Sequence, residues 1–210
     1  MTEPSQSQTG AHNKPVESLI VDTDLCLDIL KISDAEELFA LVEKNREYLR
    51  KTLPWLDEVR SLDEQISYIV HCDSDYELGK GVMYAIRNGG RIVGTIGLNW
   101  LDFENRSCGV GYWISEHQTG QGFATRTCSR LIDHCFMDLN LHRFVLEASV
   151  ENTASCRVAV RLGMRMEGVN KDREWLYNRY VDGKMYAITK PEWLSSSAVS
   201  YTHLRAHETS

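Results

Sequence analysis

A glycine-containing turn is the part of the sequence whose residue types most clearly suggest chemistry. It reads TGQGFA at residues 119–124 and joins the aromatic segment 111–114 to a run with helical apolar spacing. The first N–H groups of a helix have no partner within the helix, and the helix dipole adds partial positive charge at that end. Gly120 and Gly122 lack a Cβ atom and tolerate positive φ, so the backbone can approach an anion closely. The turn therefore predicts a phosphate-binding site.

The cysteines and histidines do not form a recognisable metal or nucleophile pattern. The six cysteines are scattered without a C-x-x-C pair, which argues against a zinc site and a disulfide framework. No cysteine carries the local signature of an acyl-enzyme nucleophile. His117 and His142 have no visible orienting partner, and such histidines are more often structural than catalytic. We therefore expect neither a metal nor a covalent enzyme intermediate.

The composition describes one ordinary globular domain with an acidic balance. Of 210 residues, 42% are hydrophobic and 25% are charged, and the formal net charge is −7. This charge disfavours nucleic acid as a partner, because binding to its backbone depends on clustered Lys and Arg, and it suits a cationic substrate. The sequence contains neither a secretion signal nor an apolar run long enough to span a membrane. We therefore expect a cytoplasmic protein without a membrane role.

The hydrophobic pattern predicts strands and helices on both sides of the turn. Ser33 and Ser61 are each followed three residues later by Glu, a capping signature that starts a helix. The glycine turn opens a third helix, and Asn152 is placed to cap a fourth, which ends at Gly163. Alternation and β-branched or aromatic residues predict the strands. These cover residues 18–30, 82–100 as a hairpin, 107–114, 143–150, 164–169 and 184–189.

The order of these elements is a strand, two helices, three strands, a helix, a strand, a helix and two strands. This order predicts an α+β fold with a mixed central sheet of about seven strands and about four helices. The antiparallel strands come first, and the later helical crossovers require a parallel pair near the middle of the sheet. A cleft is expected where the parallel strands separate.

Three blocks of sequence resemble the GNAT superfamily of N-acetyltransferases. They read GYWISEHQTGQGFAT, LHRFVLEASVENTASCRVAVRLGMRMEG and DGKMYAI, and within the superfamily they are similar to the ribosomal-protein-serine N-acetyltransferases of the RimL and RimJ type. The resemblance extends over about residues 18–193. It implies the GNAT fold and acetyl-CoA as the co-substrate. Because related enzymes are often dimers, a homodimer is one expected state.

The resemblance assigns the glycine turn to the pyrophosphate of acetyl-CoA. In the family this turn follows the pattern Gln/Arg-x-x-Gly-x-Gly/Ala, and here Thr119 departs from it at the first position. The departure changes a side chain and leaves the backbone donors in place. The N–H groups implied to contact the phosphates are those of Gln121, Gly122, Phe123, Ala124 and Thr125.

The resemblance also implies contacts to the rest of the co-substrate. Main-chain groups of Trp113 and Ile114 would align its pantetheine arm in the manner of strand addition, and an N–H in this stretch would polarise the thioester carbonyl. Asn152 matches a family asparagine near the thiol. A plain helix cap would account for Asn152 equally well.

Two residues are implied to handle protons. Ser155 coincides with a serine that returns a proton to the leaving thiolate in RimL-type enzymes, and a first-turn helix serine is the structural alternative. Glu167 aligns with a glutamate that takes the proton of the amine, and a solvated strand glutamate is the alternative. The aromatic residues expected near the acceptor groove are Trp55, Trp175, Tyr177 and Tyr180.

The predicted reaction is direct acetyl transfer to a primary amine in a ternary complex. A protein α-amine is the leading acceptor, with the N-terminal serine of a ribosomal protein as the specific case, since the pKa of about 8 of an α-amine leaves it partly neutral at pH 7.5. A small-molecule amine, such as an aminoglycoside, a polyamine or an amino-acid derivative, is the alternative within the same class. A non-catalytic CoA-binding sensor module is the alternative of another class.

The predicted domain covers residues 18–194, with a disordered segment at 1–17 and a tail outside the domain at 195–210. The tail from Ala198 to Ser210 matches neither helical nor strand periodicity. It resembles an in-frame translation of an adapter used in sequencing libraries, which would make it an artefact, and a disordered natural tail is the alternative.

Overall fold

The computed structural model describes residues 14–196, and the predictions made for residues 1–13 and 197–210 lie outside this range. Residues 190–196 are helical. The other elements are β1 (Ser18–Ile20), β2 (Leu25–Ile29), α1 (Ala35–Leu49), α2 (Leu62–Glu77), β3 (Val82–Asn88), β4 (Arg91–Asp102), β5 (Ser107–Ile114), α3 (Phe123–Asp133), β6 (Arg143–Ser149), α4 (Thr153–Arg161), β7 (Arg165–Leu176) and β8 (Arg179–Thr189).

The strands form a single mixed sheet in the order β1-β2-β3-β4-β5-β6-β8-β7. The pair β5–β6 is parallel and the other neighbouring pairs are antiparallel. The crossover between the parallel strands contains α3, as the rules for parallel connections require. The α+β class and the mixed central sheet are therefore confirmed, with eight strands among the described residues.

The two faces of the sheet have separate hydrophobic cores. One core contains side chains of α3 and α4 and the residues of β5 at Cys108, Val110 and Ile114. The other packs α1 and α2 against the opposite face, which includes Trp113 of β5. Because side chains alternate along a strand, β5 contributes to both cores. Any opening between β5 and β6 therefore connects the α3/α4 face with the α1/α2 face.

The local predictions differ in how well they match the structure. Ser61 caps α2 by accepting the N–H of Glu64 at 3.2 Å, as predicted. Ser33 does not cap α1, because a 3₁₀ turn precedes that helix and the Asp34 carboxylate accepts the Lys31 N–H at 3.0 Å instead. The predicted strand 18–30 is a hairpin of β1 and β2.

The last two strands are longer than the sequence pattern indicated. They form a hairpin that extends to the turn at Tyr177, which has a φ of 60°. Its register shifts twice on β7, between Met166 and Gly168 and between Asn170 and Glu174. These bulges interrupt the alternation of buried and exposed residues. The strand predicted from that alternation therefore ended at residue 169, whereas β7 continues to Leu176. The longer hairpin brings Glu174 and Val181 to the opening between β5 and β6.

None of the helices within the described residues combines the length and the apolar character needed to cross a membrane.

Candidate active site

A cleft of about 1010 Å³ opens where the two parallel strands separate. Pairing between β5 and β6 ends at Val110 and Leu146, although β5 continues to Ile114 and β6 to Ser149. Tyr112 and Ser155 line the cleft from the α3/α4 side, and Trp113 lines it from the α1/α2 side. The cleft therefore passes through the sheet, as the separation of the parallel strands predicts.

A bulge on β4 and two glycines on β5 shape the wall of this cleft. The bulge lies between Leu98 and Trp100. A Cβ atom on Gly111 would lie 2.5 Å from Asn99 Nδ2, and one on Gly109 would lie 2.1 Å from Trp100 Nε1. Glycine at both positions therefore allows the bulged side chains of β4 to lie across β5.

The glycine turn has the geometry of an anion site at the start of α3. Gly120 and Gly122 have φ values of 78° and 77°, and Gly122 is the N-cap residue, so no side chain caps the helix. Within residues 14–196, no hydrogen bond joins the N–H groups of residues 121–125 to another group. Five unpaired N–H donors at a helix start are the arrangement that binds phosphate.

A contact with α1 anchors the segment before the turn. The Glu116 N–H donates to Asn45 Oδ1 at 2.8 Å, and Asn45 is buried. Arg126, in the first turn of α3, forms an ion pair with Asp22. The same guanidinium lies 5.1 Å from the centre of the Phe123 ring. These contacts hold a cation and the unpaired amides at the same helix end.

The backbone of β5 presents alternate residues to the cleft. The Ser115 N–H donates to Val93 O at 2.8 Å, and Trp113 pairs with Thr95 in the same ladder. Because hydrogen-bonded pairs alternate in an antiparallel ladder, the N–H and C=O of Trp113 also face β4. Those of Tyr112 and Ile114 face away from β4. The prediction for Trp113 is therefore corrected: its main-chain groups face β4, and Tyr112 joins Ile114 as the main-chain candidate.

Asn152 and Ser155 lie together at the start of α4 and both line the cleft. Asn152 is the N-cap residue, and its Oδ1 accepts the Ser155 N–H at 3.1 Å. Asn152 is therefore a helix cap, and because it also lines the cleft, the predicted contact near the thiol stays a prediction. The hydroxyl of Ser155 remains available on the cleft side.

Tyr112 is a functional candidate that the sequence interpretation missed. Its Oη is one of two buried side-chain polar atoms without a hydrogen-bond partner among the described residues. Burial raises the pKa of the Tyr112 hydroxyl, which therefore keeps its proton at neutral pH. The nearby Ser155 side chain lowers the pKa of Tyr112 and so partly offsets the effect of burial. The two hydroxyls are not placed within normal hydrogen-bond geometry. An unpaired donor beside Ser155 was not detectable because the two residues are distant in sequence.

Glu167 does not line the cleft, and its carboxylate is held by two arginines. Arg143 donates to Oε1 at 2.9 Å and also contacts Oε2, and Arg165 donates to Oε1 at 2.8 Å. Hydrogen bonding from Arg143 is the main cause that lowers the pKa of Glu167 to about 2. A carboxylate stabilised in this way is a poor proton acceptor. The base role expected for Glu167 therefore has no geometric support.

We predict that Glu167→Gln mainly affects stability. The pKa of Glu167 is lower in the folded protein, so its stabilisation is complete above the unfolded value of about 4.5 and is lost as pH falls toward 2. At neutral pH we expect a loss of about 1–2 kcal/mol in the free energy of unfolding, after allowance for solvent screening. Urea denaturation at pH 7 and pH 3 measures this, with the exposed Glu104→Gln as control. An equal loss at both pH values would contradict the assignment.

Glu174 is the half-buried carboxylate that the structure places in the cleft instead. It pairs with Val181, which lies on the same face of the sheet as Gly183 and Glu147. Within residues 14–196 the carboxylate of Glu174 accepts no hydrogen bond and forms no ion pair, whereas the neighbouring Arg173 is paired with Glu147. Burial is the main cause that raises its pKa, and the charge of Glu147 adds to the effect. Glu174 is thus a carboxylate with increased basicity.

The other carboxylates that line the cleft differ from Glu174. Glu147 forms an ion pair with Arg173 at 2.8 Å, and Asp182 forms one with Lys171 at 2.8 Å. Glu64 is used in the cap of α2, and Asp75 Oδ2 lies 3.4 Å from His71 Nε2. Glu58 is exposed to solvent. The signal for Glu174 in the sequence was its position next to Trp175, in the aromatic segment already expected near the acceptor groove.

The remaining predicted residues divide between the cleft and other places. Trp55 lines the cleft, and its ring stacks on that of Tyr68 with centroids 6.3 Å apart. Trp175 and Tyr177 line a neighbouring cavity with Trp55. His117 and His142 do not line either cavity. No cluster of three or more metal-ligating side chains occurs within residues 14–196.

Comparison with known proteins gives a consistent result. Residues 24–165 match the family model of the acetyltransferase (GNAT) domain. The chain is 29% identical over 171 residues to the ribosomal-protein-serine acetyltransferase of Escherichia coli (strain K12), which covers 81% of this chain and 96% of the relative. It is 28% identical over 145 residues to the spermidine N(1)-acetyltransferase of Vibrio cholerae, and this match covers 68% of this chain and 82% of that relative.

A solved structure is similar over the same range. It is RimL, the ribosomal L7/L12 alpha-N-protein acetyltransferase, in complex with coenzyme A. The TM-score is 0.80 at 31% identity, and the match covers 82% of this chain and 98% of that one.

Proposed function

The chain belongs to the GNAT acetyltransferase family, and we propose that it transfers the acetyl group of acetyl-CoA to the α-amine of a protein N-terminus, such as the N-terminal serine of a ribosomal protein. The observation that carries this proposal is the through-sheet cleft. It has two hydroxyls on one face of the sheet and, on the other, a carboxylate without a partner among the described residues. The anion site lies at the start of α3, which follows β5 in the chain after the cleft-lining residues of that strand. The ribosomal-protein-serine acetyltransferase relative supports the choice of acceptor.

The glycine turn fits the diphosphate of coenzyme A. The N–H groups of Gln121, Gly122, Phe123, Ala124 and Thr125, which have no partner within residues 14–196, hold the phosphates at the positive end of the α3 dipole. The main-chain groups of Tyr112 and Ile114 align the arm beyond the diphosphate, as in strand addition. When it is bound, acetyl-CoA supplies an activated thioester. The CoA-bound RimL structure supports this fit.

Glu174 acts as the general base on the α1/α2 side of the sheet. The amine must lose a proton to form the new C–N bond, and the raised pKa of Glu174 brings its basicity closer to that of the amine. An α-amine with a pKa of about 8 is partly neutral near pH 7.5, whereas a lysine amine with a pKa near 10.4 is almost fully charged. A single carboxylate is therefore sufficient for an N-terminal acceptor.

Ser155 and Tyr112 act on the α3/α4 side, where the C–S bond breaks. The sulfur takes up one proton when it leaves, and both hydroxyls carry a proton at neutral pH. Because burial raises the pKa of Tyr112, its hydroxyl is a weak acid, and its contribution depends on its position in the cleft. An N–H of the β5 backbone facing the cleft stabilises the negative charge on the carbonyl oxygen during transfer. The acid and the base thus lie on opposite faces, which keeps the two proton transfers apart.

An acceptor screen tests the proposed function. The protein is incubated with acetyl-CoA and either a peptide that begins with serine or a panel of aminoglycosides, polyamines and amino-acid derivatives. Release of free thiol is followed, and mass spectrometry locates the modified nitrogen. We expect acetylation of the peptide α-amine. Acetylation of small amines alone would replace this acceptor class, and CoA binding without any transfer would identify a non-catalytic module.

We also predict that the two hydroxyls partly replace one another. Tyr112→Phe or Ser155→Ala should each lower kcat by no more than about 10-fold, whereas the double variant should lose about 100-fold, because no donor then faces the sulfur. The KM for acetyl-CoA should stay within about twofold, since the phosphate contacts are unchanged. Thermal melting serves as the control: losing the unpaired Tyr112 hydroxyl should not lower Tm. A double variant with the wild-type kcat would remove both residues from the mechanism.

A further inference from the structure

A second cavity of about 310 Å³ adjoins the cleft on its α1/α2 side. We call it the side chamber. Its walls come from the 3₁₀ segment Pro54–Glu58 and from the end of the β7–β8 hairpin: Pro54, Trp55, Glu58, Trp175 and Tyr177. Three of these residues also line the main cleft: Pro54, Trp55 and Glu58. An acceptor held at Glu174 can therefore extend into the side chamber without crossing the protein wall.

The side chamber combines three aromatic rings with one carboxylate. Glu58 has no ion pair or hydrogen bond from its side chain to any residue in the described range 14–196. The indole of Trp175 is 52% exposed and has an edge-to-face contact with Tyr180, with centroids 4.9 Å apart. Large aromatic surfaces left open beside a free carboxylate indicate a binding surface more than a packed core.

The aromatic rings are held in place by contacts outside the chamber. Trp55 stacks on Tyr68. Tyr177 Oη donates to Leu53 O at 2.5 Å, and its ring carries the Arg50 guanidinium 3.6 Å from the ring centre. Arg50 is itself paired with Asp57 at 2.8 Å, so it does not neutralise Glu58. These contacts hold the rings of the side chamber in place before a ligand binds. The Tyr177 ring already interacts with one cation, Arg50, which does not line the side chamber.

These surroundings favour a positively charged ligand over a neutral one. A cation can interact favourably with the faces of the aromatic rings and with the negative charge of the Glu58 carboxylate at the same time. A neutral apolar group could contact the rings but would remove water from Glu58 without replacing it. The other charged groups beside the chamber have partners of their own: Arg50 with Asp57, and Arg46 with Glu43.

We infer that the side chamber binds a second positive charge of the acceptor, several bonds away from the amine that is acetylated. This inference rests on the proposed function, because it requires the acceptor amine at Glu174. The same ammonium or guanidinium chemistry could come from a basic side chain near a protein N-terminus or from the distal amine of a polyamine. The specificity determinants are then Glu58 and Trp175.

Kinetics with matched acceptors test the inference. The acceptors are serine-initiated tetrapeptide amides with one lysine at position 2, 3 or 4, each compared with the norleucine peptide, and a diamine compared with the monoamine of equal length. We expect one lysine peptide or the diamine to have a kcat/KM about 3- to 30-fold above its neutral partner. In Glu58→Gln and Trp175→Ala this preference should fall to within about twofold, and Glu104→Gln should retain it.

A binding measurement separates the chamber from the reaction. Indole N–H signals of Trp55 and Trp175, assigned with Trp→Phe variants, are followed while Nα-acetyl-lysine methylamide or its norleucine analogue is added. We expect shifts at both indoles with the lysine compound only, and their loss in Glu58→Gln. Equal responses to the two compounds, or equal kcat/KM for every charged and neutral pair, would overturn the inference. If indole shifts occur but no acceptor is acetylated, the proposed function fails, and the side chamber is a cation site that does not serve an acetyl acceptor.

Discussion

Replacing Glu174 by glutamine is expected to lower kcat by about 100- to 1000-fold, the range in which loss of a positioned general base lies. Glutamine keeps the size of the side chain but cannot accept the proton of the amine. Glu174 lines the cleft without a partner in the described chain, and burial raises its pKa. Affinity for CoA should not change, because Glu174 lies on the face of the sheet opposite Tyr112 and Ser155.

The pH dependence of kcat provides the direct measurement. A base works only when deprotonated, so the wild-type rate should fall as pH drops through the pKa of Glu174. This acid limb should lie above the ordinary glutamate value of 4.5, since burial disfavours the charged form. In Glu174→Gln the limb should disappear. Glu167→Gln is the matched control and should retain both the limb and a kcat within about twofold of wild type. If Glu167→Gln instead loses the acid limb and most of kcat while Glu174→Gln keeps both, Glu167 is the base.

Replacing Gly122 by aspartate is expected to weaken CoA binding by about 100-fold or more. The new carboxylate would lie at the helix start where the unpaired N–H groups face the phosphates, so like charges would meet. Gly122→Asn has nearly the same shape and tolerates positive φ without adding charge. It should weaken binding by less than about 10-fold. The difference between the two variants measures the electrostatic part of the site.

Calorimetric titration with CoA measures both variants in the absence of turnover. Gly90→Asp is the control, because Gly90 has a similar φ of 82° and a Cβ atom there would meet no neighbour within 4 Å. It lies in the β3–β4 hairpin turn and should bind CoA like the wild type. If Gly122→Asp also binds CoA with wild-type affinity, the phosphates are held elsewhere and the interpretation of the turn is incorrect.

The features that the sequence determined are those that depend on neighbours in the chain. Gly120 and Gly122 adopt positive φ immediately before a helix, and that geometry requires only the glycines and the helix start. Ser61 and Asn152 cap their helices through contacts three residues away. The element order was sufficient to predict a mixed sheet with a parallel pair, because a helical crossover between adjacent strands leaves few alternatives.

The features that only the tertiary structure decided depend on register and on distant partners. Glu167 is paired with Arg143, which lies 24 positions earlier in the chain. Glu174 faces the cleft because the bulge on β7 between Met166 and Gly168 moves the following even-numbered residues to the other face of the sheet, and the second irregularity, between Asn170 and Glu174, keeps them there. The sequence pattern of polar and apolar residues does not indicate such bulges. Which backbone groups of β5 face the cleft likewise follows from its ladder with β4. The sequence could therefore locate the candidate anion site, whereas the proposed base could be identified only from the positions of strands that meet in the folded protein.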